Sequence, residues 1–164
     1  MTQAPSMGNA LPLSEISKMT GLEFMQAMMA GRVPPAPIAA TLGFTGHLAE
    51  TGRAVFRGTP DASVTNPMGS VHGGWYGAIL DSALGCSVMT TLDKGEAYTT
   101  LEYKVNLTRA IRVGTAVECW AEVDHRGRTT AVAHGEIRGI EDGKIYATGS
   151  TTCIIFDLNT TDGS

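Results

Sequence analysis

One carboxylate, Asp81, lies in the run from Gly73 to Gly85, where its companions are otherwise small, aromatic or aliphatic. An ionised Asp in such surroundings is expensive to hold unless it is paired or does chemistry. Nine positions earlier stands His72, followed by Gly73 and Gly74 and preceded by the turn-forming pair Asn66 and Pro67. The stretch reads as a turn feeding a long apolar helix, whose first N–H groups lie unblocked at its positive end. An acid in one region and an anion-accepting helix start in another are the two halves of an acyl-hydrolysis site.

Both halves must be positioned by the rest of the chain. The central helix is placed at about 72–91, with Gly95 as the breaker behind it. After it the period changes to two. Leu101, Tyr103, Val105 and Leu107 share the apolar face of a strand over 99–107, and by the same parity Thr99 joins them. Further strands are expected over 115–123, 129–138 and 145–156, with turns at His125 to Arg128 and at Glu141 to Lys144, the latter carrying an Asp-Gly signal. Two strands, Thr41 to Leu48 and Gly52 to Gly58, precede the helix. The expected order is helix, two strands, long helix and four strands in a meander, an α+β arrangement with an antiparallel sheet. Gly73, Gly74, Gly77, Ala78, Ala83 and Gly85 leave room for that sheet to curl closely around the helix. Three segments follow: an N-terminal extension over 1–39, a main domain over 40–156 and a loose tail over 157–164. Residues 1 to about 12 are expected to be disordered. In the extension, Leu22, Phe24, Met25, Met28 and Met29 recur at helical spacing before the prolines at 34, 35 and 37. That helix is either a lid or partner surface, or a helix packed on the main body.

Bulk composition narrows the function classes. The 164 residues are 43% hydrophobic, enough for one domain with a real core. A formal charge of −4 with no basic block argues against nucleic acid. Cys86, Cys119 and Cys153 are odd in number and widely spaced, which fits a reducing cytoplasm and suggests neither a disulfide framework nor a zinc site. His47, His72, His125 and His134 show no metal-ligand spacing, so no metal and no redox cofactor are expected. No signal peptide is read at the N-terminus and no stretch is apolar and long enough for a membrane span. A Gly-x-Ser-x-Gly nucleophile elbow and a phosphate-binding loop are both missing.

The sequence resembles hotdog-fold acyl-CoA thioesterases of the phenylacetate-degradation (PaaI-like) type over roughly residues 40–156. The resemblance is carried by Asn66-Pro-x-Gly-x-x-His72-Gly73-Gly74, by Asp81, and by Thr99-Thr-Leu-Glu, Val105-Asn106, Arg109, the His125 to Arg128 turn and the ending around Thr152-Cys153. It implies a curved antiparallel sheet wrapped on one helix and hydrolysis of an acyl-CoA thioester, coenzyme A entering as part of the substrate. By matched position it implies Asp81 as nucleophile or general base and the Gly73 N–H as carbonyl polariser. Asn66 and His72 would position substrate and water, Thr99 would orient the water, and Gly74 would contact substrate. One departure matters: some hotdog thioesterases carry a Thr one helical turn after the acid, where this chain has Gly85. A second hydroxyl must then come from elsewhere, from Thr99 or Thr100. Ala110 replaces a Pro common in relatives, which bears on the strand end.

The residues alone add a constraint. Gly73 and Asp81 are eight positions apart on one helix, about 12 Å along its axis at 1.5 Å per residue. One thioester carbon needs both an N–H on its oxygen and a carboxylate within about 3 Å of itself or its water. Two antiparallel helices related by a two-fold axis supply both, so a homodimer with interfacial sites is expected, with two dimers pairing into a tetramer.

Each residue also has a plainer reading. Asp81 caps a break in the helix near Gly77. His72 is bonded to a backbone carbonyl where the helix begins. Asn66 is a turn residue, and Thr99 is only a strand residue. Arg109, Arg126 and Arg128 either hold the CoA phosphates or are solvated turn charges, and Trp75 and Tyr76 either line an acyl pocket or fill the core. Two other functions stay open: a hotdog hydratase or dehydratase on acyl thioesters, and a non-catalytic acyl-CoA-binding protein.

Overall fold

The computed structural model describes residues 11–158. The expectations for residues 1–10 and 159–164 lie outside them. In chain order the elements are α1 (Leu13–Ile16), α2 (Gly21–Met29), α3 (Pro37–Leu42), β1 (Phe44–Glu50), β2 (Arg53–Gly58), a 3-10 turn (Ala62–Val64), α4 (Gly73–Met89), β3 (Glu96–Leu107), β4 (Val117–Arg126), β5 (Thr130–Gly139) and β6 (Ile145–Asp157). The boundary expected between residues 39 and 40 falls inside α3.

The strands form one six-stranded antiparallel sheet in the order β1-β2-β4-β5-β6-β3. The four-strand meander expected after the helix is corrected here. β4, β5 and β6 are consecutive neighbours, but β3 pairs with β6 at the far edge and β2 takes the place beside β4. The crossover from β3 to β4 is pinned to the helix. Tyr76 donates its hydroxyl to the Arg109 carbonyl (3.2 Å) and accepts from the N–H of the fully buried Ile111 (2.5 Å). Trp75 is likewise core, its indole N–H donating to the Leu42 carbonyl at 2.8 Å.

α4 is apolar around most of its circumference, which suits a helix enclosed by a sheet. Ile79, Leu80, Ala83, Leu84 and Val88 are fully buried, against Val117, Cys119, Ala121, Ala133 and Ala147 of the sheet. Small residues on α4 set how closely β3 approaches. A Cβ at Gly73, Gly77 or Gly85 would meet Leu107 Cδ1 at 3.1 Å, the Tyr103 hydroxyl at 3.2 Å and the Tyr98 hydroxyl at 2.6 Å. Positions 73, 77, 81 and 85 recur every four residues and so form one stripe. Asp81 is the only member of that stripe with a side chain.

α2 packs on the main body. A reciprocal capping box between Thr20 and Glu23 starts it, and Met25 and Ala27 are buried. Its first residue sits on the far end of α4: the Gly21 N–H donates to the Leu92 carbonyl at 2.9 Å, and a Cβ there would lie 1.7 Å from the Met89 carbonyl oxygen. Gly21→Ala must push two backbones apart. It is expected to lower stability by about 1–3 kcal/mol, the range for overpacking a filled interior, as measured by urea denaturation.

Candidate active site

The helix start is built by the loop before it. Asn66 folds residues 66–70 into a tight turn: its Oδ1 accepts from the Met68 N–H (2.9 Å) and the Ser70 N–H (3.3 Å), and its Nδ2 donates to Ser70 Oγ (3.1 Å). Thr65 and Val71 then pair, and the His72 N–H donates to the Val64 carbonyl at 2.8 Å. Asn66 thus holds the loop that delivers the helix start. His72 is the N-cap, its Nδ1 accepting from the Gly74 N–H at 2.9 Å. This bond goes to an amide and not to the carbonyl of the plainer reading, and it fixes the ring's proton on Nε2 in the neutral form. It also occupies the Gly74 amide. The Gly73 N–H has no hydrogen-bond partner among the described residues.

α4 runs unbroken from Gly73 to Met89, so Asp81 caps no break near Gly77. Its carboxylate is half-buried and forms no ion pair among the described residues. One oxygen, Oδ1, accepts from the Thr100 hydroxyl at 3.2 Å.

That partner corrects the strand reading. Thr99 is exposed, and Thr100 faces the helix instead. The reason is a bulge: β3 shifts register against β6 between Thr100 and Glu102. One extra residue inverts the alternation. Tyr98 and Thr100 face α4 before it, and Tyr103 and Leu107 face α4 after it. Leu101, expected on the apolar face, is 58% exposed. The place that Gly85 leaves open is filled by the Tyr98 ring.

Asp81 borders a cavity of about 1080 Å³ together with Ser82, Cys86, Tyr98 and Thr100. Burial, and then the charge of Asp81, push the Cys86 thiol up to about 12. The Cys153 thiol is also raised, chiefly by burial. Both therefore stay protonated near neutral pH. The phenol of Tyr98 is raised well above its ordinary value by burial, the two thiols and Asp81.

The arginines separate. Arg126 is ion-paired with Glu96, whereas Arg109 and Arg128 are exposed. Phe24, Met28 and Met29 on the cavity wall were not singled out as site residues by the sequence reading, although their helical spacing was evident. Replacing Thr100 with the near-isosteric Val removes the one side-chain hydrogen bond to the Asp81 carboxylate among the described residues and leaves the strand packed. Thr100→Val is expected to lower kcat for thioester hydrolysis about tenfold, the equivalent of one hydrogen bond to a charged group, in a steady-state assay of thiol release.

The sequence profile of the Thioesterase superfamily matches residues 68–146, which contain Gly73, Asp81 and Thr100. A Caenorhabditis elegans protein, provisionally named an esterase, is 35% identical over 88 residues, 53% of this chain and 51% of its own. The chain thus spans about half the length of that curated relative. Among solved structures, a phenylacetic acid degradation-related protein of Ralstonia eutropha, provisionally named a thioesterase, is 29% identical with a TM-score of 0.73, covering 80% of this chain and 98% of its own. A variant of the phenylacetic acid degradation protein PaaI of Thermus thermophilus is 27% identical with a TM-score of 0.67, covering 73% and 98%.

Proposed function

We propose, for a chain that is a hotdog-fold protein of the PaaI-like thioesterase type, that it hydrolyses an acyl-CoA thioester to the free acid and coenzyme A at a site shared between two subunits. Asp81 of one subunit attacks the thioester carbonyl carbon or takes a proton from the water that does. The Gly73 N–H of the other subunit donates a hydrogen bond to the carbonyl oxygen as it gains negative charge. The tetrahedral intermediate collapses, the C–S bond breaks, and the sulfur leaves as coenzyme A thiolate, which takes up a proton. Where water attacks, this releases the free acid directly; where Asp81 attacks, water then hydrolyses the mixed anhydride left on its carboxylate to free acid and restores Asp81.

The observation that carries this reading is the half-buried carboxylate of Asp81. It is unpaired by any cation among the described residues, held by one hydroxyl, and opens on a cavity. The shared site is supported by the length of α4. The helix is continuous, so Gly73 and Asp81 of one chain stand about 12 Å apart along it. A two-fold partner is supported by two surfaces. Gly74 is exposed and Ala78, Asp81 and Ser82 are only half-buried on α4, while Leu101, Tyr103 and Leu107 are exposed on the edge strand β3. Arg109 and Arg128 stay available to CoA phosphates, while Arg126 is engaged by Glu96. A hydratase needs a histidine acting on the acyl carbons, and the His72 Nδ1 is spent on the Gly74 amide.

The test is release of coenzyme A, followed with a thiol reagent, from acyl-CoA thioesters presented to the full chain. Thiol release in step with free acid supports the proposal. Tight acyl-CoA binding without thiol release replaces the enzyme with a binding protein.

A further inference from the structure

We infer that the acyl group taken by this site is an uncharged, flexible aliphatic chain of medium to long length, and that residues 24–38 ahead of the main sheet build the wall that selects it. The inference rests on the thioesterase reading for its reaction, but on the cavity for its substrate.

Among the described residues twenty-five line the cavity, and Asp81 is the only charged one of these. Asp81 repels an acyl group that carries its own carboxylate, and no cation among the described lining residues of this chain neutralises one. Much of the apolar lining comes from α2, α3 and the proline-rich turn between them, with Phe24, Met28, Met29 and Ile38 among it. Four of the lining residues are methionines, counting Met25 and Met89. Unbranched thioether chains repack around occupants of different length, whereas a rigid ring is best held in a fixed slot. At about 1080 Å³ the space lies at the top of the range for small-molecule pockets. An acetyl or phenylacetyl group would leave most of it unfilled.

This wall is fixed to the body. Gly21 lies against the Met89 carbonyl, Met25 and Val33 are buried, and Met29 packs over Gly46 of β1, where a Cβ would meet its Cε at 3.1 Å. Phe24, Met28 and Met29 are only half-buried, because one side of each faces the cavity.

The experiment uses straight-chain acyl-CoAs from acetyl to palmitoyl, with phenylacetyl-CoA and succinyl-CoA beside them. The kcat/KM is measured on the full chain, and binding of the same compounds to Asp81→Asn is measured by calorimetry. Both quantities are expected to rise about fourfold per methylene until the cavity is full, with octanoyl-CoA ahead of phenylacetyl-CoA and succinyl-CoA last. Met28→Trp should lower the ratio of long-chain to short-chain kcat/KM about tenfold or more. Ile38→Trp, at a half-exposed position, provides the same reading if the first variant folds poorly. Hydrolysis without chain-length preference, or with the aryl or acidic substrate preferred, overturns the inference and leaves the thioesterase reading standing. Length-dependent binding without hydrolysis keeps the pocket assignment and removes the enzyme. Neither hydrolysis nor length-dependent binding overturns both.

Discussion

Asp81→Asn and Asp81→Ala are each expected to lower kcat for acyl-CoA hydrolysis by about 10²–10⁴-fold, the span attributable to one positioned acid-base group. KM should change far less. The expectation follows from the surroundings of the carboxylate. Asp81 stands in a helix stripe otherwise made of Gly73, Gly77 and Gly85, with no cation paired to it among the described residues and one hydroxyl donor, Thr100. A carboxylate kept for structure would carry ion pairs or several backbone N–H bonds, and its loss would unfold the helix. Here the neighbouring side chains close over α4 without it. The variants should therefore keep their far-UV circular dichroism and melting temperature while losing thiol release. Turnover that survives in both removes Asp81 from the mechanism.

The second large effect concerns a backbone amide, which only proline can delete. Gly73 is the first residue of α4, the one helical position where proline fits without loss of an internal hydrogen bond. The preceding residue, His72, already has φ −65° and ψ 139°, the extended conformation that a following proline demands. The added Cβ meets Leu107 Cδ1 at 3.1 Å, the movable end of a side chain. Gly73→Pro is therefore expected to keep the fold and lower kcat by about 10²–10³-fold, as for the loss of one oxyanion donor. Gly73→Ala carries the same Cβ but keeps the N–H, and should retain most activity.

The two variants together test the shared site. If each site takes Asp81 from one subunit and Gly73 from the other, mixed dimers of Asp81→Asn with Gly73→Pro regain one intact site of two. A statistical mixture then recovers about a quarter of wild-type activity. Sites contained within single chains recover none.

Local patterns were legible where one segment decides them. The His72 start and the body of α4 follow from an apolar run behind a Gly-Gly pair, and the β1–β2 turn from Thr51 and Gly52, the latter with φ 77°. β5 and β6 begin within a residue of their expected starts, because alternation and the Asp142-Gly143 turn fix them. The position of β3 was not legible. A strand next in sequence is the default neighbour, but the crossover held by Tyr76 carries the chain from β3 at the edge past β6 and β5 to β4 beside β2. Which of the two threonines faces the acid stays open in the sequence for a related reason. Thr99 and Thr100 are identical in type, and a bulge adds one residue without disturbing an alternating sequence. Only the pairing of β3 with β6 shows the shift at Leu101.

The sequence by itself determined the acid, the glycine-rich helix start and their separation, because helix rise and covalent spacing are local quantities. Tertiary structure alone decided which hydroxyl holds Asp81, which helix-start amide stays open, and that a Met-rich helix ahead of the sheet covers the acid with an apolar cavity. Those outcomes depend on strand register and on surfaces brought together from α2, α3, β1, α4 and β3, which no single stretch of chain encodes.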